Sequence, residues 1–105
     1  MKRIINGFRY DTEKADLIAS ASYGNAGDFE AWYEALYKTP RSGRFFLYGE
    51  GGPMSKYGRA TGQNSWSGGE KITPLSPKQA LEWCEQRDID PEEYERFFED
   101  MITDA

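Results

Sequence analysis

Histidine is absent from this chain of 105 residues, and cysteine occurs once, as Cys84. Those two scarcities remove whole classes of chemistry. A disulfide framework needs paired cysteines, a structural zinc site needs several Cys or His ligands, and a Cys–His nucleophile needs its base. None of these can be assembled, so neither a metal nor a cofactor is expected. Cys84 lies inside a helical pattern, where a lone cysteine behaves as a small buried apolar residue; a reactive thiol is the alternative. Such sparing cysteine usage fits a cytoplasmic protein.

Long apolar runs are missing too. The opening MKRIINGFRYD has too few apolar residues for the hydrophobic region of a signal peptide, and no segment approaches the length of a membrane-spanning helix. A soluble protein with no membrane contact is expected. Positive charge is scarce in one region only. Residues 1–71 carry ten basic and eight acidic side chains, net +2, whereas residues 72–105 carry three against ten, net −7; together they make the net charge of −5. This asymmetry places one acidic surface beside a near-neutral body. It also disfavours direct nucleic-acid binding, where phosphates must be met by Lys and Arg.

Aromatic side chains, by contrast, are plentiful at 15%. They let a short chain bury much area per residue and argue for a folded core despite the low mean hydropathy. With no internal repeat and no linker, residues 1–105 form one domain of ordinary size.

Asn6-Gly7 between short apolar flanks is a hairpin signal. Thr12 is placed as the N-cap of a helix in which Ala15, Ile18 and Ala19 recur at helical spacing. Between Asp28 and Tyr37 the residues Phe29, Trp32, Tyr33, Leu36 and Tyr37 match a helical stripe, yet they run into the turn Pro40-Arg41-Ser42-Gly43 and then Arg44–Tyr48. A short helical turn leading into a strand, then a hairpin, is expected there. Phe45, Phe46 and Leu47 in succession suit a central strand buried on both faces. Gly49–Gly69 is glycine-rich, with a short helix expected at Ser55–Ala60, and Lys71–Pro74 is a brief strand. Ser76-Pro77 with Gln79 forms a capping box with proline at the first helical position, and Asp90-Pro91 with Glu93 repeats the device. Beyond the second cap, Tyr94, Phe97, Phe98, Met101 and Ile102 form an amphipathic stripe. The expected fold class is α+β: a small antiparallel sheet with an N-terminal helix and a C-terminal pair of amphipathic helices.

Gly49-Glu50-Gly51-Gly52-Pro53 invites comparison with a phosphate-binding loop, but the Lys-Ser/Thr that must follow is missing, and Pro53 removes a backbone donor. Glycines adopting positive φ in tight turns are expected instead. Carboxylates are numerous enough for an acid and base pair, but a domain of this size offers little room for the cleft that would tune one of them. No catalytic residue is nominated. On an ideal helix Glu92, Glu95 and Glu99 fall in one stripe beside Asp100, and Glu82 and Glu85 share a stripe on the helix before it. A solvated outer face is one reading of these acids. A surface for a positively charged partner is the other, since like charges at such spacing are mildly unfavourable. Tyr57 and Trp66 in the glycine-rich segment are either core residues or the aromatic anchors of a binding surface.

Three stretches, KRIINGFRYDTEKADLIA (residues 2–19), ALYKTPRSGRFFLYGEGGPMSKYG (35–58) and SWSGGEKITPLSPKQALEWCE (65–85), resemble a family of small proteins of phages, plasmids and other mobile elements. That family includes anti-CRISPR inhibitors of type II-A RNA-guided nucleases. The resemblance covers most of the chain and brings no catalytic motif with it. It implies a stoichiometric inhibitor in the cytoplasm of a bacterial host cell, whose partner is a CRISPR-associated RNA-guided endonuclease, alone or guide-loaded. Such nucleases present basic channels for nucleic acid, which an acidic face could occupy as a DNA mimic. The rival readings are a mobile-element adaptor or regulator that binds a host protein through the glycine-rich loop, and a small modifying enzyme.

Overall fold

The computed structural model describes residues 1–25 and 27–105. It opens with a hairpin, β1 (Lys2–Ile5) and β2 (Phe8–Asp11), paired in register Ile5↔Phe8. Asn6 and Gly7 take φ of 52° and 82°, the two positive values that a tight turn matching strand twist requires. The main sheet has four antiparallel strands: β3 (Asp16–Tyr23), β4 (Trp32–Lys38), β5 (Phe45–Gly51) and, after a small β6–β7 hairpin (Arg59–Gly62 and Ser65–Ser67), β8 (Gly69–Leu75). Its order is β3-β4-β5-β8. One helix, α1 (Pro77–Gln86), and a broken C-terminal segment complete the chain. Among the described residues no helix is long and apolar enough to cross a membrane.

The α+β expectation with an N-terminal helix and a helix pair is therefore corrected: 42% of the chain is strand. Thr12 caps no helix. Its amide donates to the Met1 carbonyl, and Lys14 and Ala15 donate back to Asp11 in a turn. The misleading signal has a definite origin. A bulge between Leu17 and Ala19 lets the consecutive residues Ile18 and Ala19 both turn inward, and one extra residue in a strand breaks its period of two. With Ala15 partly buried against another cluster, the sequence acquires spacing that imitates a helix. After the bulge, Ala19, Ser20, Ala21 and Ser22 alternate in and out as a strand should.

β5 runs between β4 and β8 and is covered on both faces, as its three consecutive apolar residues imply. Phe45 joins Leu36, Ala80, Trp83, Cys84 and Phe98 in the larger core beneath α1. Phe46 points the other way, stacked on Tyr37 at 5.2 Å and meeting Tyr10 edge-on at 5.4 Å under the β1–β2 hairpin. That hairpin covers only one end of its face. The molecule is consequently a slab of 49 × 33 × 19 Å, and its radius of gyration of 15.1 Å exceeds the roughly 13 Å of an equant domain of about 100 residues.

α1 begins as the sequence dictates. Ser76 Oγ accepts from the Gln79 amide, while Gln79 Oε1 accepts from the Ser76 amide. It ends in a Schellman turn: Asp88 takes φ 55°, its amide donates to Glu85, and Ile89 donates to Cys84 before packing on the core. The second helix does not persist. Asp90 accepts from the Glu92 amide, but α2 spans only Pro91–Tyr94, and single 3-10 turns follow at Glu95–Phe97 and Glu99–Met101. Two causes act together. Five acids against one arginine between residues 91 and 100 disfavour a continuous helix, and Phe98 leaves helical geometry (φ −132°, ψ 23°) to stack on Phe45 at 5.0 Å. Met101 and Ile102, expected in the core stripe, stay 38% and 41% exposed.

The short helix expected at Ser55–Ala60 is also absent; turns over Pro53–Tyr57 lead into β6. Nor do the glycines of Gly49–Gly69 take positive φ, which is confined to Gly7, Gly24, Gly27 and Gly43 among the described glycines. They serve close approach instead. A β-carbon on Gly49 would collide with the Tyr57 ring, and one on Gly58 with the Pro53 carbonyl, so the loop folds flat onto the sheet only because these positions lack side chains.

Candidate functional site

Alternation along β4 puts Trp32, Glu34 and Leu36 on the face beneath α1, which sends one carboxylate into the interior. Glu34 is wholly buried. Its Oε1 accepts from Trp83 Nε1 at 3.0 Å and from the Arg87 guanidinium through Nε at 3.0 Å and a terminal nitrogen at 3.0 Å. Its Oε2 accepts from the Tyr57 hydroxyl and from Lys56 Nζ, each at 2.5 Å. Burial alone would raise the Glu34 pKa, but the bonds from Lys56, Tyr57, Trp83 and Arg87 outweigh it and hold the carboxyl at about 2. A carboxylate so acidic and so fully engaged does not serve as a general base. Its work is to tie the glycine-rich loop and α1 to the sheet. Burial and the Glu34 carboxylate in turn push the Tyr57 hydroxyl well above its ordinary value.

Around this node lies a band of aromatic surface. Tyr23 stacks on Trp32 at 6.2 Å, and the Arg87 guanidinium sits 4.8 Å from the Trp32 ring. Tyr23, Phe29 and Met54 are 56%, 69% and 65% exposed. Tyr23 and Phe29 border a groove of roughly 750 Å³ at the end of the sheet that the β1–β2 hairpin leaves bare. Across its floor runs one row of cross-strand partners, Ser22↔Tyr33, Tyr33↔Glu50 and Glu50↔Glu70. Glu50 and Glu70, like charges directly opposite each other, both accept from the Tyr48 hydroxyl, at 2.7 and 2.9 Å. Burial and these two carboxylates push the Tyr48 pKa far up. The hydroxyl stays protonated and brings one proton to two acceptors.

The nominated acids lie elsewhere. Glu82 and Glu85 are exposed on α1; Glu92 is on α2, and Glu95, Glu99 and Asp100 are on the 3-10 turns that follow, all exposed. The single helical stripe inferred for Glu92, Glu95 and Glu99 does not exist as such, because no continuous helix carries it. Among the described residues the ion pairs are Lys56–Glu34 and Arg87–Glu34, so none of these six acids is neutralised within the chain. Tyr57 is half-buried and committed to Glu34, whereas Trp66 on β7 is 60% exposed.

The structure thus separates Tyr57 from Trp66 and brings forward Glu34, Glu50, Glu70, Tyr33 and Tyr48, which the sequence did not single out. One signal was present: Glu34 sits between Trp32 and Leu36 at a spacing of two, an ionisable residue on an otherwise apolar strand face. The Glu50–Glu70 pair left no such trace, since its partners are 20 residues apart and meet only through strand register. Among the described residues no group of three or more acidic or cysteine side chains could hold a metal ion. No family model, curated protein or solved structure shows a significant match to the chain.

Proposed function

We propose that the protein acts by stoichiometric binding, as an inhibitor of a type II-A CRISPR RNA-guided DNA endonuclease in the bacterial cytoplasm. The observation that carries this is the exposed set Glu82, Glu85, Glu92, Glu95, Glu99 and Asp100, on a terminal third of net charge −7, with no ion pair to any described residue. Carboxylates left unneutralised within the chain are complementary to a channel lined with Lys and Arg, such as the one that holds a guide–target heteroduplex. Occupying it would block DNA binding without chemistry. The resemblance of residues 2–19, 35–58 and 65–85 to mobile-element proteins supplies the class of partner.

Titration of the guide-loaded nuclease, read by DNA binding at two salt concentrations, tests the proposal. Inhibition complete near one equivalent and weakened by salt supports it, because exposed charge pairs are screened. Inhibition far below one equivalent points instead to a modifying enzyme. A second reading, an adaptor that binds a host protein through the glycine-rich segment, is favoured by one feature: the indole of Trp66 stands 60% exposed on the β6–β7 hairpin. Under that reading Trp66→Ala removes activity and charge reversal of the C-terminal acids does not.

A further inference from the structure

The acidic C-terminal surface leaves the groove at the bare end of the sheet without a role. We infer that this groove docks an extended, arginine-bearing segment of a partner protein, with one guanidinium held between Glu50 and Glu70 beside the Tyr33 ring. The inference stands on different residues from the proposed nuclease contact and does not depend on it.

Three features fix the occupant's chemistry. The first is shape. The groove is open and roughly 750 Å³, with exposed Phe29 at one rim and backbone of Gly51, Gly52 and Gly68 along its wall. Aromatic rims beside bare backbone suit an extended chain. The second is charge. Glu50, Glu70 and Asp28 line the groove against Arg59 alone, and none of the three acids forms an ion pair with a described residue. Like charges placed directly opposite in a sheet are unfavourable, so a cation between them relieves a cost already present in the fold. A phosphate backbone would add to it, which argues against nucleic acid. The third is the donor pattern. Tyr48 offers one proton to both carboxylates, at 2.7 and 2.9 Å, so each can accept further bonds from the groove side. A planar guanidinium with five donors matches two adjacent carboxylates and can lie against an aromatic face, whereas the ammonium of lysine is a point charge on a flexible stem.

The test uses the intact protein and three synthetic octapeptides of glycine and serine carrying a single central arginine, lysine or citrulline. Binding is followed by backbone amide shifts. The arginine peptide is expected to shift the amides of Tyr33, Glu50 and Glu70 saturably and to bind about tenfold more tightly than the citrulline peptide, the effect of losing one charge-assisted pair. Glu70→Gln is expected to weaken the arginine peptide by a similar factor, with lysine intermediate on the wild-type protein. Equal binding of arginine and citrulline peptides overturns the inference, since that comparison needs no variant. So does a response confined to residues 92–100, or saturable binding of a short DNA oligonucleotide at Tyr33, Glu50 and Glu70. Glu92→Lys should leave arginine-peptide binding unchanged, so failure of the nuclease proposal is distinguishable from failure here.

Discussion

The indole nitrogen of Trp83 donates to Glu34 at 3.0 Å, across 49 residues of sequence. This bond locks α1 to β4 and makes Glu34, the one fully buried carboxylate among the described residues, a structural tether. Its pKa of about 2 lies below the ordinary value of 4.5, so between those values the unfolded chain binds more protons than the folded one. Stability contributed by Glu34 is therefore present above pH 4.5 and lost as pH falls toward 2. Glu34→Gln should lower stability at neutral pH by about 1–3 kcal/mol, the cost of weakening charge-assisted bonds at a buried acceptor whose cationic partners Lys56 and Arg87 keep access to solvent, and should flatten the acid limb. Thermal unfolding of both proteins across that pH range measures this; a parallel acid limb in the variant contradicts it.

Gly49→Ala should be destabilising although the backbone there demands no unusual φ. The added methyl must displace the Tyr57 ring and with it a donor to Glu34. Overpacking of this kind costs about 1–3 kcal/mol. Urea denaturation should show a lower midpoint with an unchanged slope, and Tyr57→Phe should abolish part of the difference when the two changes are combined.

Two residues of one apparent stripe should behave differently. Phe98 is wholly buried against Phe45 and Tyr94, so Phe98→Ala should cost about 3–5 kcal/mol. Met101 is 38% exposed, and Met101→Ala should fall within about 0.5 kcal/mol of wild type. Equal losses would restore the continuous amphipathic helix that the sequence suggests.

That contrast shows where the sequence speaks clearly. Local devices were legible: the Asn6-Gly7 turn, the Ser76–Gln79 capping box and the doubly covered strand at Phe45–Phe46 each follow from a few neighbouring residues. Periodicity was less dependable. The bulge at Ile18 imitated a helix, and Phe98 broke one, because in both places tertiary packing overrode the local pattern. Of the candidate surfaces, the acids of the last third were visible as composition. The groove row Tyr33–Glu50–Glu70 was not, since strand register alone brings it together.

Cys84 gives an independent reading of core integrity. Burial, reinforced by the nearby charge of Glu85, pushes its thiol up to about 12, and the side chain is wholly enclosed. At neutral pH a thiol reagent should react only as fast as the protein opens, and Phe98→Ala should accelerate that reaction. Fast modification of the native protein would contradict the enclosed core.

The most direct test of the proposed function replaces Glu92, Glu95, Glu99 and Asp100 by lysine together. All four are exposed, so the fold should survive, as the thermal transition and the Cys84 reactivity will report. The variant is then titrated against the guide-loaded nuclease with DNA binding as readout. Loss of inhibition with the fold retained is the predicted result; full inhibition by the folded variant contradicts the acidic-surface mechanism.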